Sequence, residues 1–117
     1  MEADLLIDKI LHNLSDSKAD KILNIDLNGK SEQADNMVIA SGTSKKHVTS
    51  IAEKLISELK KNTNAYVRTE GLNNSDWVLI DCGDVIVHVF REEVRDFYQL
   101  ERIWHNNQSI FLESESV

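Results

Sequence analysis

Apolar residues return every three or four positions at the start of the chain. Leu6, Ile10 and Leu14, joined by Ile7 and Leu11, form one stripe, the spacing of an amphipathic helix. From Ile22 to Leu27 the pattern changes to alternation, with Leu23, Ile25 and Leu27 pointing one way, which predicts a strand. Asn28-Gly29 follows, and both residues tolerate positive φ, so a turn is expected there. Met37 to Ala40 is a short unbroken apolar run, expected of a strand covered on both faces. Ser41-Gly42-Thr43-Ser44 ends that strand and opens a helix, with Thr43 or Ser44 placed to cap it by accepting a backbone N–H. Val48, Ile51, Ala52, Leu55, Ile56 and Leu59 then give the clearest helical stripe of the chain, with lysines mostly on the other side. Asn62-Thr63-Asn64 stops it.

Ala65 to Arg68 reads as a short strand. Strand, helix and strand in this order make a crossover unit, so the two strands are expected to run parallel. The strongest strands are Trp77 to Ile80 and Val85 to Phe90. Asp81-Cys82-Gly83-Asp84 joins them and is too short for anything but a hairpin. Glu92-Glu93 opens a last helix, where acids suit the positive end of the dipole. Val94, Phe97, Tyr98, Glu101 and Trp104 lie along one side of it. The order reads α-β-β-α-β-β-α, a single α/β domain with one mixed sheet flanked by helices. Residues 1–104 form that domain. Residues 105–117 form a polar tail ending in Glu113-Ser114-Glu115-Ser116, expected to be flexible.

Composition narrows the class. The chain has 117 residues, 41% hydrophobic and 28% charged, the balance of one soluble globular domain. No apolar run approaches the roughly 20 residues that span a bilayer, and the acidic start lacks the form of a secretory signal. Cys82 is the only cysteine, so no internal disulfide can form. A cytoplasmic location fits these features. Net charge is −7, which argues against a broad nucleic-acid surface and against direct DNA binding. The charge is uneven: residues 44–70 carry a net +3 and the rest −10. An anionic body of this kind is drawn to basic partners, or is simply a solvated surface.

Several residues invite a chemical reading. Asp81 and Asp84 flank a turn with Gly83, where aspartate bonds nearby backbone and glycine takes positive φ. They can equally form a carboxylate pair facing basic side chains of a partner. His88 interrupts an apolar strand, on the face of Ile86 and Phe90 and opposite Val85, Val87 and Val89. A hydrogen-bonded histidine at the core edge is the expectation, since His12, His47 and His105 are scattered and none is spaced with Cys82 as a zinc set. The loop at residues 41–44 resembles the phosphate-cradling loop of a nucleotidyltransferase, but that chemistry needs carboxylates two apart on a strand to hold metal ions. Asp81 and Asp84 are three apart across a turn, and Asp26 stands alone. No nucleophile elbow or phosphate loop is present either. The expectation is a protein without catalytic residues, metal or cofactor.

Three blocks carry a family resemblance. The run Asp76-Trp77-Val78-Leu79-Ile80-Asp81-Cys82-Gly83-Asp84-Val85-Ile86-Val87-His88-Val89-Phe90, continued by Glu93 to Trp104, resembles the signature of the Iojap/RsfS ribosomal silencing factors. Ala34 to Ser44, with His47 three residues on, resembles a second block, and Glu70-Gly71 a third. Asn36 and Cys82 depart from the common pattern, and the tail after Trp104 lies outside it. The resemblance implies a fold similar to a nucleotidyltransferase core. It implies a translational repressor that binds the large ribosomal subunit through the universal large-subunit ribosomal protein fourteen and blocks joining to the small subunit when nutrients are scarce. Alternatives are a large-subunit maturation factor using the same surface and, at a distance, a nucleotidyltransferase-type enzyme. It also implies homodimers when the protein is free. Under this likeness Trp77 is expected to be an interface anchor. Asp81, Gly83, Asp84, His88 and Tyr98 are the further partner-binding candidates, and helical spacing puts Phe97 in the core.

Overall fold

The structure, a computed structural model, describes residues 2–27, 35–62 and 67–94. Helix α1 spans Glu2–Asp16 and strand β1 Asp20–Asp26. Strand β2 spans Asn36–Gly42 and helix α2 Lys45–Asn62. Strands β3 (Arg68–Glu70), β4 (Trp77–Asp81) and β5 (Val85–Arg91) follow. Residues 92–94 are helical, as expected of a helix opened by Glu92-Glu93. The expected turn at Asn28-Gly29, the rest of the last helix with Phe97, Tyr98 and Trp104, and the tail lie outside the described residues.

The five strands form one mixed sheet in the order β1-β2-β5-β4-β3. β2 and β5 pair in parallel at its centre, Val38 opposite Val87 and Ala40 opposite Val89. The other pairings are antiparallel. Two expectations need correction. The short strand is Arg68–Glu70; of the expected Ala65 to Arg68, Ala65 and Tyr66 lie outside the described residues and Val67 precedes the strand. The order α-β-β-α-β-β-α leaves out one of the three strands, β3, β4 and β5, that follow α2. β3 runs in the direction of β2, as a crossover requires, yet lies at the far edge, because β5 and β4 stand between them. Its residues are exposed or half-buried, so no apolar pattern marks it.

Each face of the sheet has its own apolar layer. Helices α1 and α2 cover one face, packing Ile10, Leu14, Ile51, Leu55 and Leu59 against Val38, Ala40, Val78, Ile80, Val87 and Val89. The other face carries Ile25, Leu27, Met37, Ile39 and Phe90, with Leu23, Ile86 and Val94 beside them. Central strands buried on both sides explain the unbroken apolar run in β2. At the β1 edge the register shifts between Asp20 and Leu23, where Lys21 takes φ 49°. Such a bulge discourages pairing with another chain.

The joints are local chemistry. Ser44 caps α2, its Oγ accepting the His47 N–H at 3.1 Å. The His47 ring then clips both helices together. Its Nδ1 accepts the Thr43 N–H at 2.9 Å, and its Nε2 donates to the Ser17 carbonyl at 3.0 Å. Gly42 lets β2 run close beneath this turn, since a Cβ there would meet Val48 Cγ2 at 2.8 Å. Helix α1 ends with Ala19 N–H bonded to the Leu14 carbonyl, Lys18 N–H to that of Ser15, and Lys18 at φ 63°. That is the Schellman arrangement, here without glycine.

Candidate partner-binding face

The β4–β5 register sets Trp77 opposite Phe90, Leu79 opposite His88 and Asp81 opposite Ile86. These six share the sheet face turned away from α1 and α2, because alternate residues of the same strands pack against the helices. Phe90 is fully buried and His88 nearly so, while Trp77 remains 37% exposed. The indole stacks on Phe90 with centroids 4.8 Å apart, and its Nε1–H donates to His88 Nδ1 at 2.9 Å. Burial pushes the His88 pKa down to about 4, so the ring is neutral, with its proton on Nε2. The expected hydrogen-bonded histidine is found, and its partner is the candidate anchor itself.

The loop before β4 is built to deliver that indole. Gly71 takes φ 90°, where a Cβ would meet the Trp77 carbonyl oxygen at 2.2 Å. Its carbonyl accepts the Ser75 N–H at 2.9 Å. Ser75, buried and at φ 62°, donates its hydroxyl to the Leu72 carbonyl and hydrogen-bonds Thr49 of α2. Asp76 and Arg91 close the loop with a backbone bond and an ion pair, each of 2.8 Å, and Arg91 also pairs with Glu93. The hydrogen bond from Arg91 lowers the Asp76 pKa, opposed by burial and helped by the nearby charges of Lys45 and Arg91. A pocket of about 480 Å³ opens beside Trp77, walled by Gly71, Asp76, Arg91, Glu93 and Val94. Asp76 and Arg91 escape a search for isolated motifs. The signal was available, since they stand one step beyond the Trp77–Phe90 pair with opposite charge.

The turn residues form a second group. Asp81 Oδ1 accepts the Gly83 N–H at 2.9 Å, and Cys82 N–H bonds the Val85 carbonyl. Gly83 sits at φ 89° with open space around it. Asp84 is exposed, and its carbonyl accepts the N–H groups of Asp35 and Asn36, fastening the start of β2. Turn chemistry thus engages one Asp81 oxygen, and Asp84 is exposed. The turn lies four residues along β4 from Trp77, roughly 13 Å. Trp77 and His88 are thus in contact, Asp81, Gly83 and Asp84 lie at the other end of the hairpin, and Tyr98 is outside the described residues. The Cys82 thiol is buried, its pKa pushed up to about 11 by burial and then by the Asp81 charge. Among the described residues no three His, Cys, Asp or Glu side chains are grouped to hold a metal ion, and no helix is long and apolar enough to cross a membrane.

Solved structures share this architecture. A crystal structure of a Chromobacterium violaceum protein matches with a TM-score of 0.85 at 31% identity, covering 90% of this chain and 88% of the other. This match defines a small single α/β domain with a mixed sheet flanked by helices. The family model described as "Ribosomal silencing factor during starvation" matches residues 1–117. A ribosomal silencing factor of Zymomonas mobilis is 48% identical over 103 residues, 88% of this chain and 77% of its relative. One from Haemophilus influenzae is 38% identical, covering 85% and 97%. The chain belongs to the ribosomal silencing factor family, a regulatory family associated with the ribosome.

Proposed function

We propose that this protein is a cytoplasmic translational repressor, not an enzyme, that binds the large ribosomal subunit through the universal large-subunit ribosomal protein fourteen and sterically prevents joining of the small subunit. The half-exposed Trp77, stacked on Phe90 and bonded to His88, carries the proposal. A large aromatic ring stacked on a buried neighbour and partly exposed is the residue type that dominates binding energy at protein interfaces. Exposed Asp84 and half-buried Asp81 lie on the same hairpin and add negative charge suited to a basic ribosomal protein. Steric exclusion needs only occupancy of the joining surface, so no reacting group is required.

The test is co-sedimentation with separated large and small subunits, followed by a joining assay. The wild-type protein is expected to bind large subunits alone and to hold the halves apart. Trp77→Ala is expected to weaken binding by about 30-fold or more, the loss of a hot-spot anchor of roughly 2 kcal/mol. Trp77→Phe retains the stack and controls for folding. Undisturbed joining at saturating protein overturns the proposal. Altered precursor ribosomal RNA on depletion, with joining unaffected, would favour subunit maturation.

A further inference from the structure

Helix α2 carries a row of cations that its packing does not explain and its own electrostatics explain only in part. Lys46, Lys54, Lys60 and Lys61 are exposed. Their spacing puts them within roughly a third of the helix circumference, opposite the buried stripe of Val48, Leu55 and Leu59. None of the four belongs to an ion pair among the described residues. A helix face kept merely soluble usually interleaves acids four residues from its lysines. Here Lys46 and Lys60 have no acid three or four positions away, whereas Lys54 and Lys61 each have Glu58 at that spacing, and Glu53 lies among the four. Lys60 and Lys61 suit the negative end of the helix dipole, but Lys46 stands in a first turn that holds no acid, against the dipole. Lys45 lies near Asp76 instead and is left out of the stripe.

The setting selects the ligand. The segment 44–70 is net +3 within a chain of −7, so a polyanion is favoured along this helix over the acidic remainder of the chain. From Lys46 to Lys61 the stripe runs roughly 22 Å, enough to follow several phosphates of one strand. Lysine acts as a flexible point charge, suited to a phosphate backbone and indifferent to base sequence. The helix layer is also the opposite side of the sheet from Trp77 and His88, so both faces can be occupied at once.

We propose that the Lys46–Lys54–Lys60–Lys61 face of α2 is a docking surface for the RNA phosphate backbone, engaged while the Trp77 face meets protein. The proposal rests on the ribosome-binding reading above. It is tested by measuring affinity for isolated large subunits across a potassium chloride series, for wild type, K46Q/K54Q/K61Q and K46R/K54R/K61R. The glutamine variant is expected to bind at least tenfold more weakly, with a salt slope smaller by about two to three, the value for three lost phosphate contacts. The arginine variant is expected to keep both. A photo-crosslinking residue at position 54 is expected to label RNA on the subunit. Unchanged affinity and slope in the glutamine variant overturn the proposal. So does a crosslink to ribosomal protein, which would mark an acidic protein partner, or no crosslink at all. Failure of the wild type to bind subunits overturns the ribosome reading. The lysine face is then judged on deproteinised large-subunit RNA, where equal binding by wild type and glutamine variant overturns it and a loss supports it.

Discussion

Trp77 and His88 fix each other's chemical state. The indole can donate to Nδ1 only while that nitrogen is unprotonated, and burial keeps it so to about pH 4, against about 6.5 for a free histidine. Between these values the unfolded chain binds a proton that the folded chain does not. Stability is therefore fullest above about pH 6.5 and declines as pH falls towards 4, by roughly 3 kcal/mol at most. His88→Gln keeps an acceptor for the indole and removes the titration. Its urea midpoint is expected to drop less between about pH 7.5 and 5 than that of wild type, and equal drops would acquit His88. Gly71→Ala forces a Cβ against the Trp77 carbonyl at a φ of 90°. A melt of this variant is expected to show a loss of about 1–3 kcal/mol. Much of the site was readable at this scale. Hairpin register and alternation put Trp77, His88 and Phe90 on one face. The donor–acceptor pairing was not readable, because it joins diagonal neighbours, and the role of Gly71 depends on a backbone contact six residues away that no periodicity reveals.

Elements with a strong period were legible from their apolar positions alone. Helices α1 and α2 and the β4–β5 hairpin form where the spacing puts them. β3 was misplaced because three residues at an edge, alternately exposed and half-buried, leave almost no imprint on composition. The cap of α2 was legible down to the choice between Thr43 and Ser44, which geometry resolves in favour of Ser44. The end of α1 was not, since the residue in the left-handed position is Lys18 rather than the glycine that would advertise it. Lys18→Gly relieves that conformation. The expected gain is up to about 1 kcal/mol, read as a higher urea midpoint with an unchanged slope. A lower midpoint would mean that the lysine side chain contributes contacts outweighing its backbone cost.

Across the whole molecule, stability should be graded from the centre of the sheet outwards. β2 and β5 are paired on both edges and buried on both faces, whereas β3 is three residues long and β1 is interrupted by its bulge. Native-state hydrogen exchange is expected to be slowest for the amides of Val38, Ile39, Val87 and Val89 and fastest, among strand residues, for Arg68 to Glu70. Comparable protection at the β3 edge would contradict this gradient. The central pairing was the least legible feature of the fold, because it unites strands separated by a helix and two further strands, and local pattern says nothing about distant neighbours. The loop of residues 71–76 joins the helix layer to the sheet. Thr49 anchors it from one layer and Arg91 from the sheet, so the tryptophan it carries is mounted on a bracket rather than hung from a swinging tether. An encounter therefore finds the ring already aimed, and little rotational freedom remains to be surrendered on contact.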